Sequence, residues 1–384
     1  MNIKQFLILA MALAVPFIFY TTLKPNLIGF DSYYFLDFVC NNGNLDTQNI
    51  TTQAIFSIIP CNFALIKALQ YFLTLIALIG VVKTGELFHR NGWLAGLFVF
   101  LSPIIFFEFM KFENEVFAFP ILVWANYFLI KGVRNHNIKQ KIAGLGLIFI
   151  AGAIWEGAVY YLLPYSFLTM VAAPFFLTAI LVFREKLFGN LLTNNAVYEN
   201  MAFIGLIHLG VFLFAVLGLF LELTIAVPGL FWLAVTAMNA KFYFHVVPFL
   251  AVGTLLLYNH PNLNKLDEVY EKPIWKTVKT ILVITPFILV FVYGYSISFA
   301  QPPTQQQTAL IERFVEMQQS GLESKNDWSY GYLVRFYGGK PTAWGGGVWQ
   351  QDYNSGIVLT WVDLNCERIG KANEMKLYDC GFTV

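Results

Sequence analysis

Residues 111–132, KFENEVFAFPILVWANYFLIKG, decide how this chain is read. Two glutamates, Glu113 and Glu115, stand two residues apart at the head of an apolar run that closes on Lys131 and Arg134. A run of this kind crosses a bilayer as a helix. Lys and Arg mark the cytoplasmic end of such a helix, so the two acids at its other end face outward, at the membrane surface.

The pattern repeats along the chain. Of 384 residues, 58% are hydrophobic and 12% charged, about half the charge of a typical soluble domain. The expected architecture is an α-helical polytopic membrane protein of about nine or ten transmembrane or re-entrant helices. Spans are expected near 5–23, 62–82, 93–110, 116–131, 142–163, 166–183, 201–221, 242–258 and 277–298. The first is read as a retained helix, since its apolar run is long and no small-x-small cleavage site follows. A net charge of +1 gives no sign of nucleic acid as a partner.

Basic residues gather in alternate loops: Lys83 with Arg90, Lys131 to Lys141, Arg184 with Lys186, and Lys265 to Lys279. These loops are expected inside, with the N-terminus. The loops 24–61 and 111–115, the turn at Pro164, the region from Glu222 to Lys241 and everything after 300 then face out. The stretch 223–238, broken by Pro228-Gly229, is read as re-entrant at the outer face, which keeps the lysines after 259 inside. Residues 1–300 form the expected membrane domain. After a linker, QPPTQQQ, the Gly- and Trp-rich tail 301–384 forms a small extracytoplasmic domain of mixed α/β type.

All four cysteines fall on the side assigned to the outside, where disulfides persist. Pairing Cys40 with Cys61 and Cys366 with Cys380 is the most economical of three possible connectivities. Asn49-Ile50-Thr51 in the same outer loop is a glycosylation sequon.

Acids collect on that side too. Asp31 follows the first span, Glu108 sits one turn before Glu113 and Glu115, and Glu156 lies about 14 residues into its span, some 21 Å deep at 1.5 Å per residue. Glu222 ends the span that starts near 201. Each alone reads as a solvated turn, a helix cap or a bond to a neighbouring helix. Together, on one side, they suit a hard divalent cation, Mn²⁺ or Mg²⁺, with oxygen ligands, able to neutralise a phosphate leaving group. Lys241 and His245, four residues apart on one helix face, are placed to meet the same anion, although a snorkelling lysine and a packing histidine are the plainer readings.

These stretches resemble the motifs of GT-C membrane glycosyltransferases, and in particular the oligosaccharyltransferase catalytic subunit. GFDSYYFLDF after the first helix and FENEVFAFPILVWANYFLIKG are similar to that family's two acidic motifs. AIWEGAVYYLLPYSF, with Trp155 and Glu156, resembles its Trp-Gly-Gly-Tyr segment, and NAKFYFHVVPFLAVG its late helix with a basic residue. NDWSYGYLVRFYGGK looks like the Trp-Trp-Asp-Tyr-Gly region, matching at Trp328, Tyr330 and Gly331. The resemblance implies that Asp31, Glu113 and Glu115 bind the cation and that Asp31 orients or activates the acceptor nucleophile. It also implies that Lys241 holds the donor phosphate and that Trp328 and Tyr330 help to bind the acceptor. The chain departs from the motif with Ser329 in place of Asp and Asp327 in place of the first Trp. It also carries Lys where the family's late basic residue is Arg, a point charge without the bidentate fork.

The function expected is transfer of a sugar or oligosaccharide from a polyprenyl-(di)phosphate donor to a polypeptide, at asparagine, outside the cell membrane. A GT-C transferase that moves one sugar from a polyprenyl monophosphate to a lipid or glycan is the alternative within enzymes. A transporter with an external binding domain is the alternative outside them, but the chain shows no internal repeat and its acids avoid the bilayer midplane.

Overall fold

A computed structural model describes residues 1–24, 26–41, 50–102, 108–168, 206–238, 242–269, 273–300, 303–343, 353 and 355–381. The chain is mostly helical, with one four-stranded sheet near its end. Among the described residues, four helices are long and apolar enough to cross a membrane: Ile3–Leu23 (α1), Phe63–Glu86 (α4), Asn114–Arg134 (α6) and the stretch Ile274–Tyr295 of the last long helix. This is a multi-pass membrane protein.

The fold divides into two compact units. The first takes in residues 1–18, 70–109 and 114–295. Its centre is a bundle in which α6 packs along Ile138–Ile154 (α7), and Leu206–Leu219 (α9) along Tyr243–Tyr258 (α11). The α6–α7 turn is closed by Asn137, whose side chain accepts from the Gln140 amide, a standard N-cap. Small residues set the closest approach: a Cβ added at Gly218 would lie 1.8 Å from the Gly253 carbonyl oxygen, so α9 and α11 meet backbone to backbone.

Two expected spans, and a third stretch that was read as re-entrant, differ in this unit. The run 93–110 does not continue as one helix; Trp93–Phe98 (α5) passes into a 3₁₀ turn, Val99–Leu101, and Ser102 is extended. Pro103 follows, and the residue before a proline is pushed out of helical geometry. The run 142–163 also breaks. Helix α7 ends at Ile154, Trp155 is extended, and a 3₁₀ turn, Glu156–Tyr161, leads into Leu162–Leu168 (α8). The Trp155 indole lies over Gly157, where any Cβ would strike it. The third, 223–238, is not an interrupted re-entrant piece but a continuous helix, Leu223–Met238 (α10), with Pro228 inside it. Most of the expected 166–183 span, and the loop with Arg184 and Lys186, lie outside the described residues.

The second unit takes in residues 19–69, 110–113 and 296–384. After α1 the chain turns into Ser32–Asn41 (α2) and Ile50–Ser57 (α3), and Cys40 is bonded to Cys61. Lys67, buried near the start of α4, donates to the carbonyls of Tyr20 and Lys24, and so ties the end of α1. In the tail, QPPTQQQ is more than a linker. Thr304 and Gln307 cap each other across the start of Gln305–Gln319, the reciprocal bonds of a capping box. That helix covers a sheet of strand order β1-β2-β4-β3, with β1 (Ser324–Asn326) parallel to β2 (Ile357–Thr360) and the other pairs antiparallel. Leu310, Ile311, Phe314 and Val315 are its buried face. Cys366 is bonded to Cys380 beside β3 (Glu367–Ala372) and β4 (Met375–Asp379).

Candidate functional site

In the second unit the two acidic motifs run side by side. Ile28 and Lys111 form a parallel β-bridge, and the Ser32 hydroxyl accepts from the Phe112 amide at 2.8 Å while donating to the Ile28 carbonyl. The Tyr20 hydroxyl donates to the Met110 carbonyl at 3.2 Å. Parallel strands advance together, so Asp31, three residues past one end of the bridge, and Glu113, two past the other, leave it in the same direction. Asp31 is exposed at the start of α2; Lys111 and Glu113 are buried.

In the first unit Glu115 opens α6 and is turned inward. Its Oε1 is 3.0 Å from His245 Nε2, and His245 Nδ1 is 2.7 Å from the Tyr161 hydroxyl. His245 is 0% exposed. Trp155 stacks on the imidazole with ring centres 5.0 Å apart and planes 11° apart, and Trp232 lies at 4.7 Å on a second side. An ionised carboxylate can only accept, so Nε2 carries the hydrogen and Nδ1 accepts from Tyr161. His245 was expected to meet a donor phosphate; both of its nitrogens are engaged elsewhere. Lys241, its expected companion, lies outside the described residues.

The remaining candidates separate by position. Trp155 joins the His245 cluster, and the Asn114 amide donates to the Ile154 carbonyl at 3.3 Å, which fixes the end of α7 beside the start of α6. Glu156 lies past that helix end, exposed, instead of inside a span; Glu108 is buried. Glu222 does not join the other acids. Its carboxylate stands 3.9 Å from Arg134 Nη1 and accepts from the Thr224 hydroxyl, at the bundle end where α6 finishes. The physical reason is the continuity of α10: a full helix carries the chain from Glu222 back across the bundle, which the Pro228-Gly229 pair had argued against.

In the tail, Trp328–Tyr330 forms a 3₁₀ turn organised by Asp327. Asp327 Oδ1 accepts from the Ser329 amide and hydroxyl at 3.1 and 2.8 Å, and Oδ2 lies 3.5 Å from the Tyr353 hydroxyl. Burial, with Asp327 beside it, pushes the Tyr353 phenol up to about 12, so it remains a donor at neutral pH. Burial raises Tyr330 as well, again with Asp327 adding to the effect. Gly331 opens the short helix Gly331–Phe336, and Tyr330 is buried; of Trp328 only the backbone belongs to the described structure. The organising role of Asp327 went unread in the sequence, although an acid two residues before a serine is a turn signal.

Among the described residues, no three His, Cys, Asp or Glu side chains stand together as a group able to hold a metal ion. The carboxylates of Asp31 and Glu113, carried on adjoining segments, are nonetheless hard oxygen donors. Mg²⁺ in particular takes one or two protein carboxylates and completes its shell with water and substrate oxygens.

No protein-family model matches the chain, and no curated protein matches it. Solved structures do. Archaeal oligosaccharyltransferase AglB from Archaeoglobus fulgidus, in complex with an inhibitory peptide and a dolichol-phosphate, superposes with a TM-score of 0.61 at 12% identity over 90% of this chain. The apo form of the Archaeoglobus fulgidus oligosaccharyltransferase gives 0.57 at 11% over 89%, and its complex with Zn and sulfate 0.54 at 11% over 87%. This chain spans 62–65% of the length of those proteins. The expected oligosaccharyltransferase-like fold is therefore the fold observed.

Proposed function

We propose that this chain is a membrane glycosyltransferase that moves a sugar or oligosaccharide from a polyprenyl-(di)phosphate to an asparagine of a polypeptide. The observation that carries the reading is the bridge between Ile28 and Lys111, which runs the two acidic motifs together on a fold shared with an oligosaccharyltransferase. Asp31, exposed at the head of α2, orients the acceptor nucleophile and draws on its proton as it attacks the anomeric carbon with inversion. Lys241 meets the phosphate that leaves. Glu113 and Asp31 are the residues that would hold Mn²⁺ or Mg²⁺, with Glu115 beyond them in the same motif. A bound cation would supply charge neutralisation at the leaving phosphate. His245 is reassigned from the phosphate to holding Glu115. Trp328, Ser329, Tyr330 and Gly331 present the acceptor-binding turn, on the extracytoplasmic side.

The test is transfer by the purified full-length chain in lipid nanodiscs. A polyprenyl-diphosphate oligosaccharide and a polyprenyl-monophosphate sugar are offered in parallel, each with a fluorescent Asn-X-Thr peptide and with a glycolipid. Transfer from the diphosphate to the peptide, lost by at least about 100-fold in Asp31→Asn and in Glu113→Gln, is the expected result. Transfer only from the monophosphate to the glycolipid would replace the reading with the single-sugar one. Chelation should abolish transfer and added Mn²⁺ or Mg²⁺ restore it; activity indifferent to chelation would remove the cation from the proposal.

A further inference from the structure

We propose that Asp37 and Arg335 form a positioning pair that sets the acceptor-binding turn of the tail level with Asp31. The inference deepens the proposed transfer reaction and rests on that reading. Both residues lie within the two quoted stretches, GFDSYYFLDF and NDWSYGYLVRFYGGK, but neither is among the positions matched or given a role there.

Arg335 Nε lies 2.7 Å from Asp37 Oδ2, a charge-assisted bond at close range. The other oxygen, Oδ1, accepts from the Asn41 amide at 3.0 Å, and that amide also reaches the Phe336 carbonyl at 3.2 Å. Asp37 is 5% exposed, so its charge is largely out of water and depends on these donors. Aromatic pairs extend the contact toward Asp31. Phe30 meets Tyr330 edge to face at 5.5 Å, Tyr34 meets Tyr332 at 4.9 Å, and Tyr33 meets Phe336 at 5.1 Å.

These contacts have a direction. Residues 30, 34, 37 and 41 follow helical spacing along one face, and on that face their partners 330, 332, 335 and 336 rise in the same order, while Tyr33 beside it reaches ahead to Phe336. The turn Trp328–Tyr330 thus comes level with Phe30, the neighbour of Asp31, while the ion pair closes the far end two helical turns away. Asp37 and Arg335 are remote from the reacting atoms; their part is to keep the turn and the carboxylate as one body. When the turn is docked for only a fraction of the time, the apparent acceptor affinity falls by that fraction, while the chemistry of the bound complex is unchanged.

The experiment uses the full chain in nanodiscs with Asp37→Asn, Arg335→Gln, and the exchange of Asp37→Arg with Arg335→Asp in one protein. Hydrogen exchange over 331–336 is measured without substrate, and transfer to the Asn-X-Thr peptide is measured with donor saturating. We expect both single variants to lose protection over 331–336. Acceptor KM should rise about tenfold with kcat held within about twofold, the signature of lost binding without lost chemistry. The exchange should recover protection and KM in part. A wild type that transfers sugar while both single variants keep its KM overturns the positioning role, as does a fall in kcat with KM unchanged. A wild type that transfers nothing, with protection still lost in the variants, overturns the transfer reading itself and the positioning role with it.

Discussion

His245 sits where a charged imidazole would be costly, and what its two nitrogens meet decides what it does. Tyr161 and Glu115 take one each. Replacing His245 by leucine leaves the buried Glu115 oxygen without that donor, a loss of roughly 1–3 kcal/mol. Tyr161→Phe removes only a neutral bond, worth about 0.5–1.5 kcal/mol. Thermal unfolding of both variants in one detergent should therefore rank His245→Leu as the more destabilised; the reverse order would show that the Glu115 contact contributes little. The four-residue spacing of Lys241 and His245 suggested a shared helix face, since four residues make about one turn, but Lys241 lies outside the described residues. The spacing could not show what faces that turn, because Tyr161 and Glu115 arrive from elements 84 and 130 residues away. Glu113 and Glu115 stood out in the sequence because acids at the head of an apolar helix are costly in lipid, and Asp31 because it follows the first span. Asp37 and Arg335 did not, since neither breaks a pattern alone.

At the scale of the element, side-chain volume decides which helices can meet. Gly218→Val should separate α9 from α11, because its first carbon already collides with backbone that has nowhere to go. An overpacked contact of this kind costs about 1–3 kcal/mol or more. Gly146, in α7, has nothing within 4 Å of an added Cβ, and Gly146→Ala should be neutral or stabilising by up to about 1 kcal/mol. Unfolding midpoints of the pair check both; equal shifts would mean that the α9–α11 approach is looser than its geometry implies. Helix ends were the least legible feature here. Pro103 announced the break after Leu101 through the geometry it imposes on Ser102, yet hydropathy overrode it in the reading. The break at Trp155 had a quieter signal, a glycine two residues on, whose meaning depends on where the indole folds.

For the whole molecule, the expected topology rests on charge in the loops, and one helix departs from what was expected of it. With α10 continuous, Glu222 comes to the end of the first unit that holds Arg134. Single cysteines introduced at 134 and 222 should then be labelled by a membrane-impermeant maleimide from the same side of sealed vesicles. Labelling from opposite sides would restore the re-entrant reading of 223–238. The cysteine pairs needed less inference: both bonds close within the second unit over separations of 21 and 14 residues, and short loops cost little to close.

The bridge between residues 28 and 111 is made by main chain alone, and main-chain groups are the same in every residue but proline. Mutational drift can rewrite the side chains around it without moving the place where the two segments run together. A fold can then stay alike where spelling does not, as 12% identity beside a TM-score of 0.61 illustrates. Kin of this protein are best sought by the interval separating an acid after a first helix from an acid pair heading a later one.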